Sequence, residues 1–307
     1  MAALTVRVLG LEFRNPIVLA SGPAGFGLEL AEHYDLGKVG ALTTKTVTPE
    51  PRSGNPQPRL VDAPSGALNS IGLQNPGCDA LQAELLPQVR DFPTRRIVSI
   101  AGRSPEEVGA LADRLSDEPG IDALEVNLSC PNVQGDTVAD DPKSVRAFVQ
   151  AVRTATRRPI LAKLPGDGDY LKLVDAALGA GADGIVLINA LRGMRIDTHT
   201  GRPILARGVG GLCGPAILPM ALARIFEARK AFPDATIVGT GGVSDLRSVL
   251  EMMCAGADLV GIGFAVMADP ERVFGLEDEL RTWMATRGIA AVSDLRGIAH
   301  RGGIDVR

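Results

Sequence analysis

The 307-residue chain has little with which to build a scaffold from covalent or metal links. Its four cysteines, Cys78, Cys130, Cys213 and Cys254, are far apart and form no C-x-x-C pair. That argues against a disulfide framework, a zinc site or an iron–sulfur cluster made by this chain alone. The three histidines, His33, His199 and His300, have no metal-binding spacing, so no metal is expected. A net charge of −4 and a pI near 5.5 leave no basic footprint for nucleic acid or an anionic membrane surface. No apolar run reaches the roughly 18 residues a membrane span needs. Arg7, Glu12 and Arg14 interrupt the only apolar stretch that could serve as a secretion signal. The expected location is the cytoplasm.

What the chain does have is glycine and proline, 36 and 21 residues, on an ordinary soluble background of 45% hydrophobic and 22% charged residues. Their placement reveals a repeat. An apolar stretch, a Gly and a β-branched run ending in polar residues occur at Lys38-Val-Gly-Ala-Leu-Thr-Thr-Lys45 and at Pro119-Gly-Ile-Asp-Ala-Leu-Glu-Val-Asn127. Two more copies are Ala180-Gly-Ala-Asp-Gly-Ile-Val-Leu-Ile-Asn189 and Ala255-Gly-Ala-Asp-Leu-Val-Gly-Ile-Gly263. A Gly that closes a helix with positive φ, followed by a strand apolar on both faces, is the unit of a helix-covered parallel sheet.

Further strands are expected at Ile17–Ala20, Ile97–Ala101, Ile160–Lys163 and Thr236–Gly239. Helix starts are signalled by the capping box Ser104-Pro-Glu-Glu107 and by Asp141-Pro142, and Leu171–Leu178 and Leu246–Met253 are amphipathic. Eight strands alternating with helices predict an α/β fold, a (β/α)8 TIM barrel with a short N-terminal β-hairpin around Thr5–Phe13. One domain over residues 1–307 is expected, since such a barrel takes roughly 250 residues. An open doubly wound sheet would need G-x-G-x-x-G after its first strand, which Asn15–Gly27 lacks. Long loops at 47–80, 128–141 and 190–215 leave the C-terminal ends of strands two, four and six, where barrel enzymes build their sites.

The polar strand ends are Lys45, Thr46, Ser99, Asn127, Lys163 and Asn189, followed by Gly241-Gly242 and Gly263. Two lysines and two amides, with no carboxylate among them, describe a site for an anionic, hydrogen-bonding ligand. Each Asn or Thr taken singly also has a plain reading as a partner for loop backbone. Strand-end lysines fit that reading less well, because Lys is rarely buried unpaired. Gly239-Thr-Gly-Gly-Val-Ser244 before a helix, and Gly261-Ile-Gly263 before Phe264, resemble the barrel phosphate cradle of close backbone N–H groups at a helix N-terminus. Tight turns alone would look similar, and sugar phosphates and FMN use the same cradle. Cys130 follows Asn127 on the loop after strand four, where a thiol beside lysine can act as a base, or can simply fill space.

These segments resemble the class 1 dihydroorotate dehydrogenases. The matching stretches are Asn15-Pro-Ile-Val-Leu-Ala-Ser-Gly22, Thr43-Thr-Lys-Thr46, Leu68-Asn-Ser-Ile-Gly-Leu-Gln-Asn75, Glu125-Val-Asn-Leu-Ser-Cys-Pro-Asn-Val133 and Gly239-Thr-Gly-Gly242. They run in family order from residue 15 to about Pro270. The segments 193–197 and 210–219 are similar to class 1B, whose members pair with an FAD/iron–sulfur subunit and pass electrons to NAD. The resemblance implies one FMN per chain, a homodimeric core and that partner subunit. It implies that dihydroorotate is oxidised to orotate in pyrimidine biosynthesis. Cys130 would remove the C5 proton while hydride leaves C6 for the flavin.

By the same resemblance Lys45 contacts flavin and substrate carboxylate, and Lys163 stabilises charge on the reduced flavin. Ser21, Thr46, Ser99, Asn127, Ile188 and Gly214 would line the flavin, with Gly241, Gly242, Gly263 and Phe264 around its phosphate. Asn69, Ser70, Ile71, Gly72 and Leu73 would form the substrate loop, with Asn127, Asn132, Asn189 and Ala190 completing the substrate contacts. Three positions depart from the family pattern: Ser99 for Asn, Ala190 for Thr or Ser, and Arg192 for a Met-like residue. The hydroxyl of the family's Thr or Ser is missing at Ala190, which is expected to weaken orotate binding by about 1 kcal/mol or more. The other readings of the sequence are an FMN barrel that acts on uracil or thymine, and a flavin-free phosphate-sugar lyase or isomerase.

Overall fold

The computed structural model describes residues 3–128 and 141–303. Eight parallel strands close into a barrel. They are β1 (Ile17–Leu19), β2 (Ala41–Thr43), β3 (Arg95–Ile100), β4 (Ala123–Asn127), β5 (Ile160–Lys163), β6 (Gly184–Leu187), β7 (Thr236–Thr240) and β8 (Leu259–Ile262). Each pairs with its neighbours in sequence and β8 pairs with β1, as the repeat required. Helices Pro105–Arg114, Pro142–Ala155, Tyr170–Gly179, Leu218–Ala231 and Leu246–Ala255 follow strands three to seven, and Phe264–Ala268 and Pro270–Thr286 follow β8. Strands β1, β2, β5, β6 and β8 are buried along their whole length.

The expected helix starts are present. Ser104 accepts from the Glu107 N–H, while the Glu107 carboxylate reaches back one residue past the cap, to the Arg103 N–H. Asp141 accepts from the Lys143 N–H. The N-terminal hairpin pairs Val6–Val8 with Leu11–Phe13 across Leu9 and Gly10, both at positive φ, the geometry of a tight two-residue turn. It lies at the end of the barrel opposite the mouth, where Arg95, the first residue of β3, donates to the Glu12 carbonyl.

The repeated glycine serves two different purposes. Gly120, Gly181 and Gly256 stand at positive φ (84°, 100° and 129°), as a helix-closing glycine should. Gly40 has no positive φ; a Cβ there would fall 2.0 Å from the Asn15 carbonyl oxygen. Its glycine is needed for close approach, so the first copy is offset by two residues from the other three.

The offset exposes a second repeated element. Asp122, Asp183 and Asp258 each precede an even-numbered strand. Each donates its N–H to a carbonyl in the preceding odd-numbered strand and accepts, at 2.8 Å, the N–H of the same residue: Arg96, Ile160 and Ile237. Ahead of β2, Gly40 donates to the Ile17 carbonyl, and the Ile17 N–H is taken by Asn15 Oδ1 instead.

The loops expected at 47–80 and 190–215 are not merely loops. Leu60–Ala63, Gly66–Asn69, Val209–Cys213 and Leu191–Met194 form one antiparallel four-stranded sheet that joins the two segments. Its glycines hid it, since Gly193 faces Gly210 and Gly211 faces Asn69 where alternating side chains would mark a strand. Most of the loop expected at 128–141 lies outside the described residues. Among the described residues no helix is long and apolar enough to cross a membrane.

Candidate active site

Strand parity decides which polar side chains meet inside the barrel, because residues two apart point the same way. Ile97 and Ser99, Glu125 and Asn127, and Leu161 and Lys163 therefore face inward as pairs. The lower layer encloses a small internal cavity of about 10 Å³, with Thr43, Glu125 and Thr240 as its polar lining. The next layer up carries Ser99, Asn127 and Lys163, the last two in direct register across β4 and β5.

Backbone pairing continues past the end of β2. Thr44 N–H donates to Ile97 O and Val47 N–H donates to Ser99 O, which sets the Thr46 hydroxyl 2.9 Å from Ser99 Oγ. Thr46 Oγ1 also lies 3.0 Å from Ser21 Oγ and accepts from Asn127 Nδ2 at 3.3 Å. Ser99 is fully buried and donates to Glu125 Oε1 at 2.7 Å. The same carboxylate oxygen is 3.8 Å from Lys163 Nζ. A hydroxyl has one proton, so the acceptor at the end of the chain orients it: Ser21 donates to Thr46, Thr46 to Ser99, Ser99 to Glu125.

Glu125 is the residue that the sequence reading missed. The strand-end set holds no carboxylate, yet one lies directly beneath it, 2% exposed, beside a lysine that is 6% exposed. The signal was present, since parity with Asn127 points Glu125 inward, and a buried acid requires a cation or donors.

A second group of candidates lies under the antiparallel sheet. Asn69 donates to Gly211 O at 3.2 Å. A Cβ at Gly211 would fall 2.6 Å from Ala190 Cβ, so Asn69 and Ala190 flank one backbone. Asn189 Oδ1 accepts the Ala190 N–H at 2.8 Å. Ser70, Ile71 and Gly72 are held through Asn55, which donates its N–H to Ile71 O and its amide to Ser70. Leu73 has a φ of 54°, costly for a side chain with a Cβ. Asn75 braces it and was not singled out from sequence: its amide donates to Leu73 O and Thr48 Oγ1 and accepts from Thr48 N and Gly77 N, so all four of its bonds are made. Cys213 sits beside Asn69, and burial pushes its thiol up despite bonds from Asn69 and to Ala67. Arg192 is exposed.

The third group is the glycine wall. Gly241 and Gly242 stand at φ 118° and 82°. A Cβ on Gly242 would meet the Leu218 backbone nitrogen at 2.6 Å, and one on Gly241 would meet Ile188 Cγ1 at 3.1 Å. Gly214 packs against Gly66 and Phe264 in the same way. Gly263 differs, because a Cβ there would meet nothing nearer than Ala20 Cβ at 3.8 Å. It is the N-cap of Phe264–Ala268, a helix with no side-chain cap. The helix after β7, expected to lend its N-terminus to an anion, is closed by Asp245, which accepts from the Ser248 N–H. Lys45, half-buried, is anchored by its N–H to Gly25 O. Cys130 and Asn132 lie outside the described residues. Among the described residues no cluster of His, Cys, Asp or Glu could hold a metal ion.

The sequence profile of the dihydroorotate dehydrogenase family matches residues 3–284. The chain belongs to the dihydroorotate dehydrogenase family. Among similar proteins is the dihydroorotate dehydrogenase B (NAD(+)) catalytic subunit of Desulforudis audaxviator, 43% identical over 301 residues, 97% of this chain and 98% of that one. The proteins of the same name from Pelobacter propionicus and Listeria monocytogenes are each 42% identical, over 96% of this chain and 97% and 98% of theirs. Family membership makes the chain an oxidoreductase. The three groups of residues above occupy the C-terminal face of the barrel, where enzymes of this architecture carry their chemistry.

Proposed function

We propose that this chain oxidises dihydroorotate to orotate in pyrimidine biosynthesis, with one FMN at the barrel mouth, and passes the electrons to NAD through an FAD/iron–sulfur partner subunit. The observation that carries this reading is the donor set around the mouth: cations at Lys45 and Lys163 and amides at Asn69, Asn127 and Asn189, beside a glycine wall. A planar anion rich in hydrogen-bonding edges is what such a set suits. The glycine wall fits a flavin phosphate, because Gly263 keeps open a space that the chain's own packing does not need, next to uncapped backbone N–H groups. FMN, when bound, supplies the two-electron acceptor for the hydride that leaves C6.

The chain's own residues do the remaining work. Lys45 would bind the substrate carboxylate. Asn69 to Leu73, braced by Asn55 and Asn75, would form the loop over the ring, with Asn127, Asn132, Asn189 and Ala190 on its edges. Cys130 would take the C5 proton, so that proton and hydride leave separately and the C5–C6 double bond forms without a free carbanion. Ser21, Thr46, Ile188, Gly214, Gly241, Gly242, Gly263 and Phe264 would line the cofactor. Lys163 would face the charge that reduction creates, and Ser99 would act from below, through Thr46 and Glu125.

A visible spectrum of the purified chain, taken before and after anaerobic addition of dihydroorotate, tests the reading. Flavin absorbance that bleaches is the expected result. Flavin that stays oxidised with dihydroorotate but bleaches with a neutral dihydropyrimidine would assign the barrel to a uracil or thymine substrate. A chain that takes up no FMN on reconstitution would sink the flavin reading altogether.

A further inference from the structure

We propose that Glu125 is a positioning residue for the flavin-facing cation of this barrel: its carboxylate, sealed beneath the mouth, fixes the Lys163 ammonium and keeps it protonated. The inference rests on the flavin reading above and goes further, to a residue below the contact layer.

Glu125 lies at the barrel axis, in contact with the cavity it shares with Thr43 and Thr240, and is 2% exposed. Two contacts converge on one of its oxygens. Ser99 donates to Glu125 Oε1 at 2.7 Å, and Lys163 Nζ lies 3.8 Å from the same oxygen. Lys163 is 6% exposed, and a buried ammonium without a counter-charge gives up its proton. Among the described residues the charged groups around it are few. Glu125 is on the neighbouring β4, β6 (Gly184–Leu187) on the other side carries no ionisable side chain, and Lys45 is the other cation of the mouth. Among the described residues Glu125 is therefore the anion that faces Lys163. Ser99 in turn ties Glu125 to Thr46, Asn127 and Ser21, so the same carboxylate orients the hydroxyls that reach the mouth.

With Lys163 protonated throughout, flavin reduction recruits no proton to it. In Glu125→Gln the lysine loses its anion, is neutral beside oxidised flavin, and takes up a proton when reduction places negative charge beside it. The midpoint potential of bound FMN reads that extra proton. Between pH 6 and 9 the E125Q line is expected to be steeper than the parent's by up to a further tenfold in equilibrium constant per pH unit, about 30 mV for a two-electron couple. Lys163→Met sets the reference, with the parent's slope and a lower potential. An E125Q line that lies on that of K163M throughout reads as a lysine already deprotonated, and also supports the inference.

An E125Q line with the parent's slope, at the same or a higher potential, while K163M is displaced, overturns the inference and leaves the flavin reading intact. If K163M changes neither slope nor potential, Lys163 is not beside the flavin and the inference falls with that assignment. A parent chain that binds no FMN removes both. Should E125Q fail to fold, thermal melting of the double variant E125Q/K163M decides. Recovery of folding when both charges are gone supports the pair, and a double variant as unstable as E125Q shows that the carboxylate serves something other than the lysine.

Discussion

Asn75 shows how one side chain can set the geometry of a segment that it does not belong to. Its amide makes four bonds, to Leu73, Thr48 and Gly77, and through them it holds Leu73 at positive φ inside the stretch proposed to cover the substrate. Asn75→Ala would leave two buried N–H groups without acceptors, at about 1–3 kcal/mol each. It would also free Leu73 to return to negative φ, a gain of about 1–2 kcal/mol. The net expectation is a stability loss of roughly 2 kcal/mol, with KM for dihydroorotate raised at least tenfold and FMN affinity changed less than twofold. Steady-state kinetics beside a flavin titration checks this, and flavin loss with an unchanged KM would contradict it. Residue-scale features of this kind were only half legible in the sequence. Lysines and amides at strand ends stand out by type, whereas Asn75 and Glu125 gain their meaning from what lies opposite them, across 27 residues in one case and on the neighbouring strand in the other.

At the scale of elements, the repeat was readable because burial on both faces forces apolar runs and each helix needs a stop. Its aspartates were less readable, since their partner is a backbone N–H and backbone leaves no mark in sequence. They also form a graded experiment. Asp258 is 5% exposed at its side chain and holds the buried Arg229, Asp122 is 11% exposed with Arg95 and Arg96, and Asp183 is 41% exposed with Arg153. Removing one partner of a buried pair costs about 3–5 kcal/mol, and an exposed pair contributes about 1 kcal/mol or less. Urea unfolding should therefore rank Asp258→Ala as the most damaging, Asp122→Ala next and Asp183→Ala least. Flavin affinity should stay level in all three, because this is the end of the barrel away from the mouth. Equal losses across the three would refute the argument from burial. The antiparallel sheet over the mouth was illegible for a different reason. It is built where backbones approach through glycine, as at Gly210, whose Cβ would meet the Asn69 carbonyl oxygen at 2.5 Å.

For the whole molecule, the question is where the electrons go after the first half-reaction. The sequence alone indicates a barrel with one phosphate cradle, and the structure has one glycine-walled mouth among the described residues, formed by the turns after β7 and β8. A dinucleotide needs its own pyrophosphate turn, and the segment after β1 lacks the G-x-G-x-x-G spacing. The cysteines that are described, Cys78, Cys213 and Cys254, are free thiols on separate elements. The relatives carry NAD(+) and catalytic subunit in one name, and both words are satisfied if the nicotinamide site belongs to another polypeptide. The purified chain, reduced anaerobically with dihydroorotate, should then stay bleached when NAD is added and regain its flavin colour with an artificial two-electron dye. Adding the proposed FAD/iron–sulfur subunit should then give NADH, followed at the nicotinamide absorbance. NADH produced by the single chain would place a nicotinamide site on this barrel and overturn the partner reading. Failure of the dye as well would instead mean that reduced flavin is sealed from solvent beneath the substrate loop.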